Sequence, residues 1–425
     1  MLVSALPART PVRAEEPSTP DGAAGLTETA EPEVEQDPAE GQAPDPEPLP
    51  PAEDITMACA LNGYVGDEHP TKMRDNAYKS YWESPLQNGE RYLTVTAPEG
   101  KTVGAILIRW ASWPVAVDVQ ERRDGEWVTV ATCDADFVAQ YMEIPGLSEF
   151  RIIGSDNPME TKLKISEITI MTPGALPEDF QIWQKAPEKV DMLLIAGHPD
   201  DEVLWFGGLL PTYAGEQGKD VLVACGAHNS YFRCLELCDC LWACGVRIYP
   251  EFMHYGDYGY ANLVDIYAAW GGHTKVQGDV VRLYRRYKPD VVVLQAVNGE
   301  TGHGAHRILS QNGRDAVPLA ASAEEYPESA ELYGTWLVPK VYVHLWEENQ
   351  ITMDWHVPLE RFGGLDGMEV AAIGFDKHVS QRDKSYYSIH DGGETDCSLF
   401  GLYHTTVGPD VEKSDMFEHI PPREE

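Results

Sequence analysis

The chain has 425 residues, and its 69 acidic against 32 basic side chains leave a formal charge of −37. That length exceeds the usual single domain and predicts two. The charge argues against nucleic acid and anionic membrane surfaces as partners, because no basic stripe could offset it, and no apolar run approaches the roughly 20 residues of a spanning helix.

Residues 1–54 are rich in Pro, Glu, Asp and Ala and almost free of aromatics. Such a stretch cannot bury enough apolar surface to offset the entropy of ordering, so it is expected to be a disordered acidic tail. Its first part, Met1 to Ala14, holds a short apolar piece and two arginines. Val12-Arg13-Ala14 before Glu15 resembles the end of a signal peptide. Export to an extracytoplasmic place is therefore expected, with the cytoplasm as the alternative.

From 55 to 172 the pattern changes to short alternating runs: Tyr92 to Thr96, Val103 to Arg109, Val115 to Gln120, Trp127 to Ala131, Phe150 to Ile153 and Ile165 to Ile170. Pro, Gly and Asp-Gly separate them, which predicts an antiparallel β-sandwich. Arg74-Asp75-Asn76 with Tyr81-Trp82-Glu83, Asp124-Gly125-Glu126-Trp127 and Ile165-Ser166-Glu167-Ile168 make this part similar to the discoidin (coagulation factor 5/8 type C) family. The resemblance implies a module that binds sugars through loops at one end; exposed aromatics such as Trp113 are candidates. A packed accessory module without ligand is the alternative.

Residues 173–188 carry Pro173, Gly174, Pro177 and Pro187 and read as a linker. From 189 to 425 strands alternate with helices. Strand 191–197 precedes a helix at 203–217, and strand 220–227 precedes a helix rich in cysteine. A strand near Pro250 to Tyr255, a helix at 276–288 and strand 290–297 follow, and His306 opens the next helix. Lys340 to Trp346 reads as a strand, Met368 to Val379 as a helix, and Ser398 to Gly408 as strand or loop. This βαβ series predicts an α/β, Rossmann-like, mostly parallel sheet with flanking helices. Cys234, Cys238, Cys240 and Cys244 fall on one helical stripe with Leu237 and Leu241, which predicts core packing rather than a metal site. There is no internal repeat. No Gly-x-Gly-x-x-Gly follows the first strand, so a nicotinamide cofactor is not expected, and Gly207-Gly208 is read as allowing close helix–sheet contact.

Two clusters carry chemistry. The run Met192 to Gly197 stops at His198-Pro199-Asp200-Asp201-Glu202, and Pro289 to Val297 leads into Asn298-Gly299-Glu300-Thr301-Gly302-His303-Gly304-Ala305-His306. Both follow strands that read as buried, so both can lie at the carboxyl rim of one sheet, where α/β folds bind ligands. His198, Asp201 and His306 give three ligands of the kind a catalytic zinc uses, with a position left open for water. Adjacent carboxylates point in different directions, so Asp200 is free to take a proton from that water as general base. His303, three residues before His306, could stand over a substrate carbonyl and stabilise the oxyanion or protonate the leaving amine. The plainer readings are a helix N-cap for Asp201 and ordinary helix or loop positions for His198, His303 and His306. Glu202 fits the first helical turn and receives no catalytic role.

With these motifs, residues 189–380 resemble the PIG-L/LmbE-like de-N-acetylase family. The resemblance implies a zinc ion on His198, Asp201 and His306, Asp200 as general base, and His303 as the imidazole that steadies the tetrahedral intermediate. It also implies that Arg233, in Arg233-Cys234-Leu235-Glu236-Leu237, and Asp257 bind the substrate. Ala305 departs from the family's Asp in His-Pro-Asp-His, and Thr301 from a Tyr found in some members. Losing that Asp removes an orienter of an imidazole. The expected function is a zinc-dependent hydrolase removing acetyl from an N-acetylated amino sugar or glycoconjugate. Iron(II) suits the same N/O ligands. The alternatives are a non-catalytic glycan-binding protein with a degenerate deacetylase domain, and a metal-dependent amidase acting on another acyl amide.

Overall fold

The computed structural model describes residues 49–63, 69–384 and 388–422. The acidic tail read over 1–54 lies outside them up to residue 48. Its last residues depart from the expected disorder: Pro51 bridges Ala175, Asp54 bridges Met171, and Ala52 N–H donates to the Ala175 carbonyl at 2.8 Å.

The amino-terminal half is built from β1 (Ala60–Asn62), β2 (Trp82–Glu83), β3 (Leu86–Gln87), β4 (Glu90–Thr96), β5 (Val103–Trp110), β6 (Val117–Arg123), β7 (Glu126–Cys133), β8 (Ala139–Leu147), β9 (Glu149–Gly154) and β10 (Lys164–Met171). One antiparallel sheet runs β1-β4-β9-β6-β7 with β3 on β4, and the other runs β2-β10-β5-β8. Leu93, Val95, Val119 and Ile152 of the first sheet share one buried core with Ile106, Ile108, Trp110 and Ile168 of the second. Alternation gives the second sheet another apolar face. Ala105, Leu107, Val138, Ala139 and Met171 belong to the core of the carboxyl-terminal half.

That half holds β11 (Met192–Ala196), α1 (Asp201–Leu204), β12 (Val221–Ala227), α2 (Tyr231–Ala243), β13 (Glu251–Tyr255), α3 (Leu263–Ala269), α4 (His273–Tyr287), β14 (Val291–Leu294), α5 (Gly304–Ala321), α6 (Pro327–Tyr333), β15 (Lys340–His344), β16 (Gln350–Thr352), α7 (Gly367–Phe375) and β17 (Leu399–Thr405). The sheet order is β13-β12-β11-β14-β15-β17-β16. Strands β13 to β15 are parallel, and β17 and β16 add on antiparallel. Met192 and Leu194 face one core, Leu193 and Ile195 the other. Burial on both faces is why β11 and its neighbours read as unbroken apolar runs. The chain moves outward from β11 through β12 to β13, then returns to β14 on the other side of β11. The order reverses between β11 and β14, the switch point at whose carboxyl rim α/β sheets bind ligands.

Two expectations need correction. The helix expected at 203–217 is only α1, followed by turns and a wide helical turn at Pro211–Glu216. Gly207 has a left-handed φ of +51°, and Pro211 brings no N–H. A Cβ on Gly207 would lie 2.6 Å from Cys397 Sγ, and one on Gly208 3.0 Å from Gly367 Cα, so the pair admits α7 and its neighbours rather than the sheet. Residues 173–188, read as a linker, carry isolated bridges at Ala175 and Gln184, and Phe180 and Trp183 within them are buried in the core. The stripe Cys234, Cys238, Cys240 and Cys244 is fully buried, and all eight cysteines are free thiols. Among the described residues no helix is long and apolar enough to cross a membrane.

Candidate metal centre

Strand β11 ends at Ala196, and the chain turns through Gly197 and His198 into α1. Strand β14 ends at Leu294, and the next loop reaches α5 with His303 at its N-cap position. Because β11 and β14 are paired neighbours, the two loops meet. His198 Nδ1 lies 3.2 Å from Asp201 Oδ2 and 3.0 Å from His306 Nε2, and His306 Nε2 lies 3.0 Å from Asp201 Oδ2. The three residues are buried. His303 completes an imidazole group with His198 and His306, with one ring nitrogen from each within 4.8 Å of the others.

Each ring has a carboxylate on its outer side. His306 Nδ1 faces Glu300 Oε2 at 3.1 Å and donates its proton there, which leaves a lone pair on Nε2. His198 Nε2 stands 3.4 Å from Asp257 Oδ1 without hydrogen-bond alignment; with the ring proton on that side, Nδ1 presents a lone pair. Two ring lone pairs and a carboxylate oxygen thus converge at 3.0–3.2 Å. Three acceptors at that spacing repel unless a proton or a cation sits among them. Tetrahedral ligands at about 2.0–2.1 Å from zinc stand about 3.3 Å apart, so the donor set and its spacing fit a divalent ion. Asp201 is itself held in place: Oδ2 accepts from the His198 N–H at 2.7 Å and Oδ1 from Trp205 Nε1–H at 2.7 Å.

Asp200 is turned the other way. Its φ of +121° is outside the region an L residue favours and costs about 1–3 kcal/mol. The Arg233 guanidinium stands 3.0 Å from Asp200 Oδ2, without hydrogen-bond alignment, and also donates to the Pro199 carbonyl. Burial pushes the Asp200 carboxyl up to about 6, against the pull of Arg233. Arg233, expected at the substrate, is thus engaged with the loop that carries Asp200. Asp257, also expected at the substrate, stands between two imidazoles, 3.4 Å from His198 Nε2 and 3.5 Å from His303 Nε2. Its Oδ1 accepts from the Gly259 N–H at 2.8 Å. Burial pushes His303 down to about 4, helped by the two other imidazoles, so at neutral pH it is an uncharged ring. Its Nδ1 is buried without a hydrogen-bond partner among the described residues, and the side chain at position 305, two residues on, is an alanine with no acceptor to offer.

Several residues of the centre had no role in the sequence reading. The Glu300 side chain is fully buried and binds on both sides: Oε1 accepts from the Ala296 N–H at 2.7 Å and faces His344 Nδ1 at 3.0 Å, while Oε2 faces His306. Gln295 Oε1 accepts from the Gly197 N–H at 2.8 Å. The sequence signal for Glu300 was its place in the second cluster; His344 ends a strand on the same rim. Trp113, offered as a sugar-binding candidate, packs instead against the His254 ring at 4.2 Å and the Tyr231 ring at 5.5 Å.

Gly197 makes room for this cluster. A Cβ there would fall inside contact distance of His306 Cδ2 and lie 2.9 Å from both Asp201 Oδ2 and Gln295 Oε1. Gly197→Ala is expected to weaken ion affinity about 10–100-fold, the cost typical of disturbing the partners of metal ligands. Competition with a chromogenic chelator measures it, and unchanged affinity would mean the ligands sit elsewhere.

A mostly parallel sheet with an imidazole–carboxylate cluster at its switch point defines an α/β protein with a candidate metal centre. Residues 193–317 match the family model described as PIG-L: GlcNAc-PI de-N-acetylase. The chain is 31 % identical over 182 residues to a 1D-myo-inositol 2-acetamido-2-deoxy-alpha-D-glucopyranoside deacetylase of Rhodococcus jostii, covering 36 % of this chain and 60 % of that protein. It is 26 % identical over 178 residues to the corresponding deacetylase 1 of Catenulispora acidiphila, covering 36 % of this chain and 54 % of that protein. The chain thus spans little more than half the length of these curated relatives. Among solved structures, N,N'-diacetylchitobiose deacetylase of Pyrococcus horikoshii aligns at 16 % identity and a TM-score of 0.34, over 45 % of this chain and 71 % of that one.

Proposed function

We propose that the protein is a zinc-dependent N-deacetylase that removes acetyl from an N-acetylated amino sugar or glycoconjugate. The observation that carries this reading is the triangle of His198 Nδ1, Asp201 Oδ2 and His306 Nε2, with each imidazole backed by a carboxylate. The match to a de-N-acetylase family model and to sugar deacetylases supports the acetamido class of substrate. His198, Asp201 and His306 would hold the ion, with iron(II) as an alternative to zinc. A divalent ion in such a site acidifies water and polarises an acyl oxygen.

The chain's own groups do the rest. Asp200, pushed up toward neutrality by burial, takes the proton of the attacking water and returns it to the departing amine nitrogen. Arg233 keeps that carboxylate aimed while leaving its lone pairs available. His303 is the ring nearest the ligand set and faces the acyl group, where an N–H steadies developing negative charge. Asp257 stands behind His198, 3.4 Å from its Nε2. The two antiparallel sheets are read as a discoidin-like module that binds sugar beside the deacetylase site.

The unpartnered Nδ1 of His303 favours one other reading, a glycan-binding protein whose hydrolytic site has decayed. Acetate release from a panel of N-acetyl amino sugars and acylated peptides, with and without a chelator, separates them. Chelator-sensitive release from sugars is expected. Release from peptides alone would overturn the sugar assignment, and no release from any amide by the ion-loaded protein would leave the binding reading.

A further inference from the structure

Behind Asp200 lies a second buried group, Glu202, Cys240 and His378, that has no part in the steps above. Glu202 and His378 have side chains with no exposed surface. His378 Nε2 stands 2.6 Å from Glu202 Oε1, and the other carboxylate oxygen, Oε2, accepts from the Asp200 N–H at 2.8 Å. At 2.6 Å the nitrogen and oxygen share a proton; two ligands of one ion stand farther apart. The cluster is therefore a hydrogen-bonded clamp.

Its effect falls on one peptide. Asp200 carries a left-handed φ of +121°, which nothing in an aspartate favours. Its carbonyl accepts from the Leu204 N–H at 3.1 Å in the first turn of α1, and its N–H is taken by Glu202. Glu202 can serve that N–H only if its carboxylate is fixed, and His378 fixes it from the far side. His378 lies in the turn after α7, and that turn is anchored in its own right: Ser380 N–H and Oγ–H donate to the two oxygens of Glu236 in α2 at 2.9 and 2.6 Å. A line of hydrogen bonds thus runs from α2 through the α7 turn to the backbone of Asp200.

We infer that Glu202 and His378 are a positioning pair, which holds the Asp200 peptide in the strained conformation that aims its carboxylate. The inference rests on the reading of Asp200 as the general base. A misplacement of about 1 Å in such a group costs on the order of 10²-fold in rate.

The test uses the full, ion-loaded chain with Glu202→Ala and His378→Phe, and with Glu202→Gln and His378→Gln as conservative partners. Acetate release gives kcat and KM, elemental analysis gives ion content, and hydrogen exchange reports protection of the segment around Asp200. Glu202→Ala and His378→Phe are expected to lower kcat about 10- to 100-fold, leave KM within about twofold, keep one ion per chain and speed exchange at Asp200. The glutamine variants should restore most of kcat, since an amide oxygen can still accept from Asp200 N–H and an amide N–H can still reach Glu202. Full kcat with unchanged exchange in both disruptive variants overturns the inference. So does loss of the ion together with kcat, which would make the pair a general support of the fold, and so does more than one bound ion per chain. If the wild-type protein releases no acetate, the deacetylase reading fails, and exchange at Asp200 alone decides whether the pair holds that peptide.

Discussion

Asp200→Asn is expected to lower kcat for acetate release by about 10²- to 10⁴-fold, the range typical of losing a general base, with the bound ion retained. Asparagine keeps the shape of the side chain and removes its ability to accept a proton. The ligand set is untouched, because Asp201 faces His198 and His306 while Asp200 faces Arg233. KM should change little, since the lost interaction belongs to the transition state. Steady-state kinetics beside elemental analysis of the same sample is the check. An active variant would remove Asp200 from the mechanism and turn attention to His303, the remaining titratable ring beside the ligands.

Stripping the ion should have the second large effect, on activity and on stability together. Two ring lone pairs and a carboxylate oxygen face one another at 3.0–3.2 Å in a buried place, so removing a cation leaves protons as the only relief. Anything that binds only the folded chain stabilises it; an ion present at a thousand times its Kd contributes about 4 kcal/mol. A chelator should therefore abolish acetate release and lower the unfolding temperature by several degrees, and added zinc should restore both. His306→Ala should behave like the chelated protein and fail to respond to zinc. Undiminished release in excess chelator would exclude the metal-dependent mechanism.

What the sequence made legible was whatever is local in the chain. Strands β11 and β14 were readable because both faces are buried and the apolar run is unbroken. The clusters after them were readable because the donors stand within a few residues of each other. The cysteine stripe of α2 was readable from helical period alone. The surroundings of the site were not, because they arrive by register. Parallel pairing sets Leu294 beside Val343, and this carries His344, one residue on, to the rim where Glu300 is waiting. His378 reaches Glu202 from 176 residues away through the turn after α7, and no spacing rule links them. The expected helix at 203–217 failed for a different reason. Its apolar period was real, but Gly207 at φ +51° breaks the backbone that the period assumes. Asp257 and Arg233 were tied to the substrate by resemblance, whereas their contacts tie them first to His198, His303 and Asp200.

The outer face of sheet β2-β10-β5-β8 has a consequence for how this architecture can change. Ala105, Leu107 and Met171 sit in the same apolar interior as Leu194, Val223 and Cys238. Between the halves, this shared apolar interior is flanked by polar contacts such as the Arg109–Asp239 ion pair at 3.8 Å. Neither is a detachable bead on a string. A lineage that exchanged the first half for another would have to inherit a matching greasy face with it, so the two halves are bound to drift together.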